Sequence, residues 1–208
     1  MKKRSLNFLR KIFDYIIALI LLSHWILLVQ DRIVNQIPLN LFWLSHLALL
    51  ITSLGLFFRN GLLLTTALVS ILVLHGLWII DFIFLLLGNS PSGYTEYFLR
   101  LTFYRMFLTS HHIYLIPLLI FTLRKKINNN GWILASILFA ILSILSFLFL
   151  PKEFNINCAH YVCKPLQDIF PFLEISFSGF IYLIILNIFV DLFLFYLPNK
   201  FLVFIFKK

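Results

Sequence analysis

A chain of 208 residues that is 62% hydrophobic and 12% charged is not an ordinary soluble domain, whose charged share is ~25%. Its net charge of +9 would suit nucleic acid, but no basic face alternates with stacking aromatics, which excludes nucleic acid as a partner. The length has room for about six membrane spans and little else, so 1–208 reads as one all-α, polytopic integral membrane domain.

The candidate spans are 12–29, 39–58, 62–87, 106–123, 132–150 and 175–197, each apolar all round. The first follows the basic stretch Lys2–Lys11 and is followed by Trp25, Leu28 and Gln30 without an Ala-x-Ala site. It reads as an uncleaved span, not a cleavable signal. The third span decides the class. Eighteen of its residues are Leu, Ile, Val or Phe. At ~0.3–0.6 kcal/mol each they favour insertion by ~8 kcal/mol, against at most ~3 kcal/mol for a charged Asp81. Pro38, Pro151 and Pro198 fall at predicted span ends, and Pro117 inside the fourth span predicts a kink.

Two segments between spans carry information. Residues 94–108 place Tyr94, Tyr97, Phe98, Leu101 and Leu108 at helical spacing, with Glu96 four before Arg100. They predict an aromatic interfacial helix leading into span four. Residues 151–171 are too polar to span and too apolar for a wet loop. They predict a folded outer cap or re-entrant piece.

Charge sets the orientation. With the N-terminus inside, twelve of the seventeen Lys and Arg residues lie on the inner side. Arg32, Arg100, Arg105, Lys152 and Lys164 lie on the outer side. This bias predicts an inner-membrane protein with both termini cytoplasmic. Membrane lipids are its expected partners, and the sequence names no protein partner.

Histidines mark the chemistry. His24, His46, His75, His111 and His112 lie in four different spans, and each falls in the middle-to-outer layer together with Asp81. Intramembrane ionisable groups usually face a bundle interior or wet cavity. These groups are therefore expected to converge beneath the cap. A single such His is otherwise an ordinary interhelical hydrogen-bond partner. His111 and His112 point about 100° apart on a regular helix and cannot share a centre without an irregularity. His75 and Asp81, six apart, are not stacked either. Thr109, Ser110, Cys158 and Cys163 are candidate nucleophiles beside these histidines. Asn187 and Asp191 share a face of span six in the inner half, where Asp191 is expected to pair with Lys or Arg.

Cys158, His160 and Cys163 offer three ligands within six residues, but a zinc site needs a further pair that only His111 or His112 could supply. A Cys158–Cys163 disulfide in an outer loop is the stronger expectation. No metal or cofactor is assigned. Walker, dinucleotide, Gly-x-Ser-x-Gly and His-Glu-x-x-His motifs are absent.

Four stretches, HGLWIIDF (75–82), HHIYLIPLLIFTLRK (111–125), FLFLPKEFNIN (147–157) and YLIILNIFVDLFLFYLPNKFL (182–202), resemble a group of bacterial multi-pass membrane-associated proteins without an assigned activity. That resemblance covers about the last two-thirds of the chain. More distantly, the intramembrane His together with Asn155, Asn157, Lys164 and Pro165 is similar to the family of androgen-induced and androgen-dependent membrane hydrolases and related acyltransferase-like proteins. That resemblance implies intramembrane acyl-ester chemistry, with a Thr or Cys nucleophile and a His. His75 takes the place of that His, and no single residue takes the place of the nucleophile.

Two functions follow. In one, the protein is a lipid-directed hydrolase or acyl transferase, with His75 as general base, Asp81 orienting it, Thr109 or Cys163 as nucleophile and His46 of lesser weight. In the other, the His layer is the relay of a small proton-coupled transporter, although no inverted repeat is visible. A non-catalytic scaffold is the remaining alternative.

Overall fold

Asn60 starts the central helix by accepting hydrogen bonds from the backbone N–H groups of Leu62 and Leu63, two donors a helix start leaves unpaired. From there α3 (Gly61–Leu86) runs 26 residues, about 39 Å at 1.5 Å per residue, and crosses the whole bundle. The structure, a computed structural model, describes residues 2–123, 127–163 and 179–206. Lys164, Pro165, Pro171, residues 175–178 of the sixth span, and the basic residues Arg124, Lys125, Lys126, Lys207 and Lys208 lie outside the described residues.

On α3 pack α2 (Leu44–Phe57), α5 (His111–Leu123), α6 (Gly131–Phe149) and α7 (Phe180–Phe206), while α1 (Lys2–Val34) packs on α2 and meets α4 (Phe103–Thr109). The described residues contain no strand. Five helical stretches among them are long and apolar enough to cross a membrane: 8–34, 61–86, 103–123, 131–149 and 180–206. The all-helical polytopic fold is therefore as expected. The buried seam of Ala18, Leu49, Ala67, Leu68, Leu119 and Ala135 lies inside the bundle. Ile137, Ile141, Ile184 and Ile188 stay exposed on its outer faces, as a hydrocarbon solvent requires.

The second expected span departs from its reading. Residues 38–42 form a 3₁₀ turn, and the helix proper holds 14 residues, about 21 Å, short of a ~30 Å core. The reason is a long-range cap. Asn157 accepts from the Leu44 N–H at 3.1 Å and donates to the Phe42 carbonyl at 2.8 Å, so the backbone before α2 is satisfied without being helical.

Three further details depart from the sequence reading. Pro198 lies inside α7, not at its end, because residues 190–196 wind as a π-helix just before it. The wider turns there absorb the proline that a regular helix would reject. The aromatic segment before α4 is a 3₁₀ turn (Glu96–Arg100) followed by extended backbone at Leu101. At three residues per turn Glu96 and Arg100 fall on different faces, and no ion pair joins them. Asp191 bonds the Ser136 hydroxyl of α6 rather than a cation, and Asn187 bonds Ser143 one helical step away. These pairs tie α7 to α6.

The ends of α1, α3, α6 and the start of α7 share one end of the bundle with residues 151–163, called here the cap end. Three residues of that cap, Asn155, Asn157 and Cys158, adopt positive φ. Asn155 secures the turn by accepting from the N–H groups of His160 and Tyr161 and donating to the Tyr161 carbonyl. Tyr182 of α7 donates to the Cys158 carbonyl at 2.7 Å. Cys158 and Cys163 form the expected disulfide, with Cα atoms 5.2 Å apart. That bond removes Cys163 and Cys158 as nucleophiles and as zinc ligands. His160 turns away, bonding the Leu150 carbonyl through Nε2 and packing on Phe147.

Candidate active site

The helix that carries two adjacent histidines breaks immediately before them. α4 ends at Thr109, Ser110 turns, and α5 begins at His111. The break supplies the irregularity that two neighbouring side chains need to face one centre. The ring centroids of His111 and His112 are 4.2 Å apart. Each ring is fixed through Nδ1 to a carbonyl of the preceding turn, His111 to Leu108 at 2.8 Å and His112 to Thr109 at 2.9 Å. A carbonyl only accepts, so each Nδ1 carries the proton and each Nε2 keeps its lone pair.

His75 of α3 meets this pair from across the bundle. Its centroid lies 4.3 Å from His112 and 5.9 Å from His111. The side chain is buried, and neither ring nitrogen has a hydrogen-bond partner. His111 Nε2 is likewise buried and unpartnered. Unpaired buried polar atoms cost ~1–3 kcal/mol each, so their concentration at one point needs a reason.

His46 and His24 complete the layer. His46, in the first turn of α2, donates Nδ1–H to the Asn40 carbonyl at 2.7 Å, and its ring lies 5.7 Å from His111. His24 of α1 donates Nε2–H to the Leu108 carbonyl and accepts from the Tyr114 hydroxyl at its Nδ1, so both nitrogens are satisfied. The five histidines predicted to converge do so. His24 is a strut of that layer, whereas His75 is left open.

Asp81 faces inward but belongs to another structure. Its carboxylate accepts from the Ser90 hydroxyl, the Ser92 N–H, and both the N–H and hydroxyl of Thr95. It fastens the loop after α3 and makes no hydrogen bond to His75, so the expected orienting pair is not formed.

The histidines open on a cavity of about 430 Å³ in the cap half of the bundle. His46, His75, His111, His112 and Thr109 line it, under Asn157 and the disulfide. Thr109 is thus the one candidate nucleophile of the sequence that borders both the cavity and the histidines. The floor is apolar, with Ile71, Phe139, Leu194 and Phe195. Leu194 lies twelve residues along α7 from Tyr182, which bonds the cap. The wall toward the cap is polar and basic. Asp31 bridges Arg32 (3.6 Å) and Arg105 (3.4 Å), leaving one net positive charge. Arg32 Nε is buried without a partner. Tyr94 and Tyr97 stand beside this group. Burial pushes the Tyr94 phenol up to about 12 and raises Tyr97 as well, so both remain hydrogen-bond donors at neutral pH. The Asp31–Arg32–Arg105 group was not singled out from sequence. Its one signal is an adjacent acid and base at the end of an apolar run.

No protein-family model, curated protein or solved structure matches the chain, so the functional reading rests on this site.

Proposed function

We propose that the cap-end cavity is the active site of a membrane-embedded enzyme that hydrolyses or transfers the acyl ester of a lipid. One observation carries the reading: an apolar cavity of acyl-chain character holds, partway up its wall, a cluster of buried imidazoles with unpaired nitrogens. Its volume lies within the ~300–1,000 Å³ of small-molecule sites. The apolar floor suits a fatty chain, the histidine cluster meets its ester, and Arg32 with Arg105 faces a polar or anionic headgroup. The acyl-ester chemistry implied by the distant family resemblance agrees with this arrangement.

A proton relay would need polar groups continuing to the far end of the bundle. Below the histidines the cavity is lined by Ile71, Phe139 and Phe195, and its polar Ser70 donates to the Ala67 carbonyl of its own helix, which favours the enzyme. With the Lys and Arg bias of the sequence, the site faces the outer leaflet of the inner membrane and both termini are cytoplasmic.

The test is free fatty acid release, measured by mass spectrometry, from vesicles of diacyl phospholipid, diacylglycerol and lysophospholipid. Purified wild-type protein is expected to release acid or move the acyl group to an added alcohol. His75→Ala is expected to lose ~10²-fold or more of that rate. Equal rates for both proteins overturn the proposal.

A further inference from the structure

We infer that His75, His111 and His112 form a binding site for a divalent transition-metal ion, zinc by its ligand set. The inference rests on the reading of the cavity as a reactive centre and gives that centre its means.

One ring nitrogen from each of the three residues lies within 4.8 Å of the others. A tetrahedral zinc ion with Zn–N bonds of ~2.0–2.1 Å would hold them about 3.4 Å apart. His75, the ring that no hydrogen bond restrains, is free to turn toward such an ion. Two of the three are already prepared as ligands. A metal-bound imidazole characteristically donates its other N–H to a carbonyl or carboxylate, which fixes the tautomer. His111 and His112 do so to Leu108 and Thr109. Of the buried, unpartnered atoms His75 Nδ1, His75 Nε2 and His111 Nε2, an ion would pair His111 Nε2 and one nitrogen of His75. Neutral imidazoles without a carboxylate select zinc and its neighbours over calcium or magnesium. Trp78, stacked on Phe82 and 5.1 Å from His112, supplies the apolar shell.

Three protein ligands leave a fourth position, the arrangement of catalytic rather than structural zinc. An ion there would lower the pKa of a bound water toward ~7. His46, its ring 5.7 Å from that of His111, would take the proton. Its Nδ1–H is held by Asn40, so its Nε2 is the basic atom, and it lines the same cavity. The water oxygen would then add to the ester carbonyl carbon, the carbon–oxygen bond to the alcohol would break, and the alcohol would leave with the proton from His46. Ester and water thus become acid and alcohol. The assignment replaces the base role expected of His75 with a ligand role.

The experiment uses the full chain in detergent, purified with a tag that contains no histidine. The protein is loaded with zinc chloride alone, gel-filtered, and its metal measured by inductively coupled plasma mass spectrometry. The wild type is expected to retain about one zinc per chain, and His75→Gln, His111→Gln and His112→Gln less than about a tenth of that. His160→Ala, whose ring bonds the Leu150 carbonyl instead, is expected to retain it. Cobalt in place of zinc is expected to give the intense visible bands of a tetrahedral site. A wild-type protein that elutes without metal overturns the inference whatever the variants do, and so do ligand variants that keep as much metal as the wild type. Fatty acid release is scored separately. Zinc held at the three histidines without lipid turnover supports the metal site and removes the lipid reading. Turnover that persists in metal-free protein overturns the catalytic role of the ion and leaves the lipid reading standing.

Discussion

His75 and His112 lie 37 residues apart in sequence, yet their ring centroids are 4.3 Å apart, with the rings tilted by 32°. One ring is fixed by a backbone carbonyl, and the other is bonded to nothing. That asymmetry, a restrained imidazole facing an unrestrained one, is what a binding site needs and what a structural hydrogen bond would not leave.

The scaffold that holds the two rings depends on close helix approach. A Cβ added at Gly131 would sit 2.5 Å from Thr65 Cγ2 and 3.2 Å from the Thr65 backbone. Thr66 also donates to the Gly131 carbonyl at 3.1 Å. Gly131→Ala is expected to force α6 away from α3 and cost ~1–3 kcal/mol. Gly76→Ala, one residue from His75, meets nothing within 4 Å and is expected to raise stability slightly, by up to ~1 kcal/mol. Thermal unfolding in detergent checks both, and equal effects would contradict the packing.

Asp81 is expected to act on stability before it acts on chemistry. Asp81→Ala strips the buried Thr95 N–H of its acceptor and frees the loop that carries Tyr94 and Tyr97. Loss of these charge-assisted bonds is expected to cost ~3 kcal/mol. The melting temperature should fall clearly, while the zinc content of the folded fraction should stay at the wild-type level. Zinc lost in step with His75→Gln would instead place Asp81 within the histidine site.

Reduction of the Cys158–Cys163 bond loosens the cap over the cavity. For so short a loop the bridge is expected to contribute about 2 kcal/mol. Dithiothreitol should lower the melting temperature of the wild type and leave the Cys158→Ser, Cys163→Ser double variant unchanged. An equal shift in both would mean that the reductant acts elsewhere.

Much of this fold was legible because membrane insertion is additive along the chain. The run 62–87 contains its own answer in eighteen apolar residues. The histidine layer was legible from depth alone, and the adjacency of His111 and His112 already demanded the break found at Ser110. Long-range polar partners were not legible. Asn157 reaches back 113 residues to Leu44 and shortens α2, and nothing near Leu44 announces it. Pro198 was misread because a π-helical stretch has no local signature that separates it from a span end. Asp81 was given the wrong partner, although Ser90, Ser92 and Thr95, its true donors, follow within fourteen residues.

The proposed orientation rests on the basic clusters of the sequence. Reporter fusions after Lys126 and after Lys164 are expected to report opposite compartments, cytoplasm for the first and periplasm for the second. The reverse pattern would place the cavity at the cytoplasmic leaflet.

The central claim is that an acyl chain lies in this cavity with its ester at the histidines. It is tested most directly by chain-length preference in wild-type protein and Leu194→Phe. Leu194 forms part of the apolar floor. Fatty acid release from a series of single-chain esters with one headgroup is the measurement. The account predicts that the wild type turns over long chains, and that Leu194→Phe loses rate on long chains at least ~10-fold while keeping its rate on short ones. Equal rate changes across the series, or no release from any ester by the wild type, would contradict it.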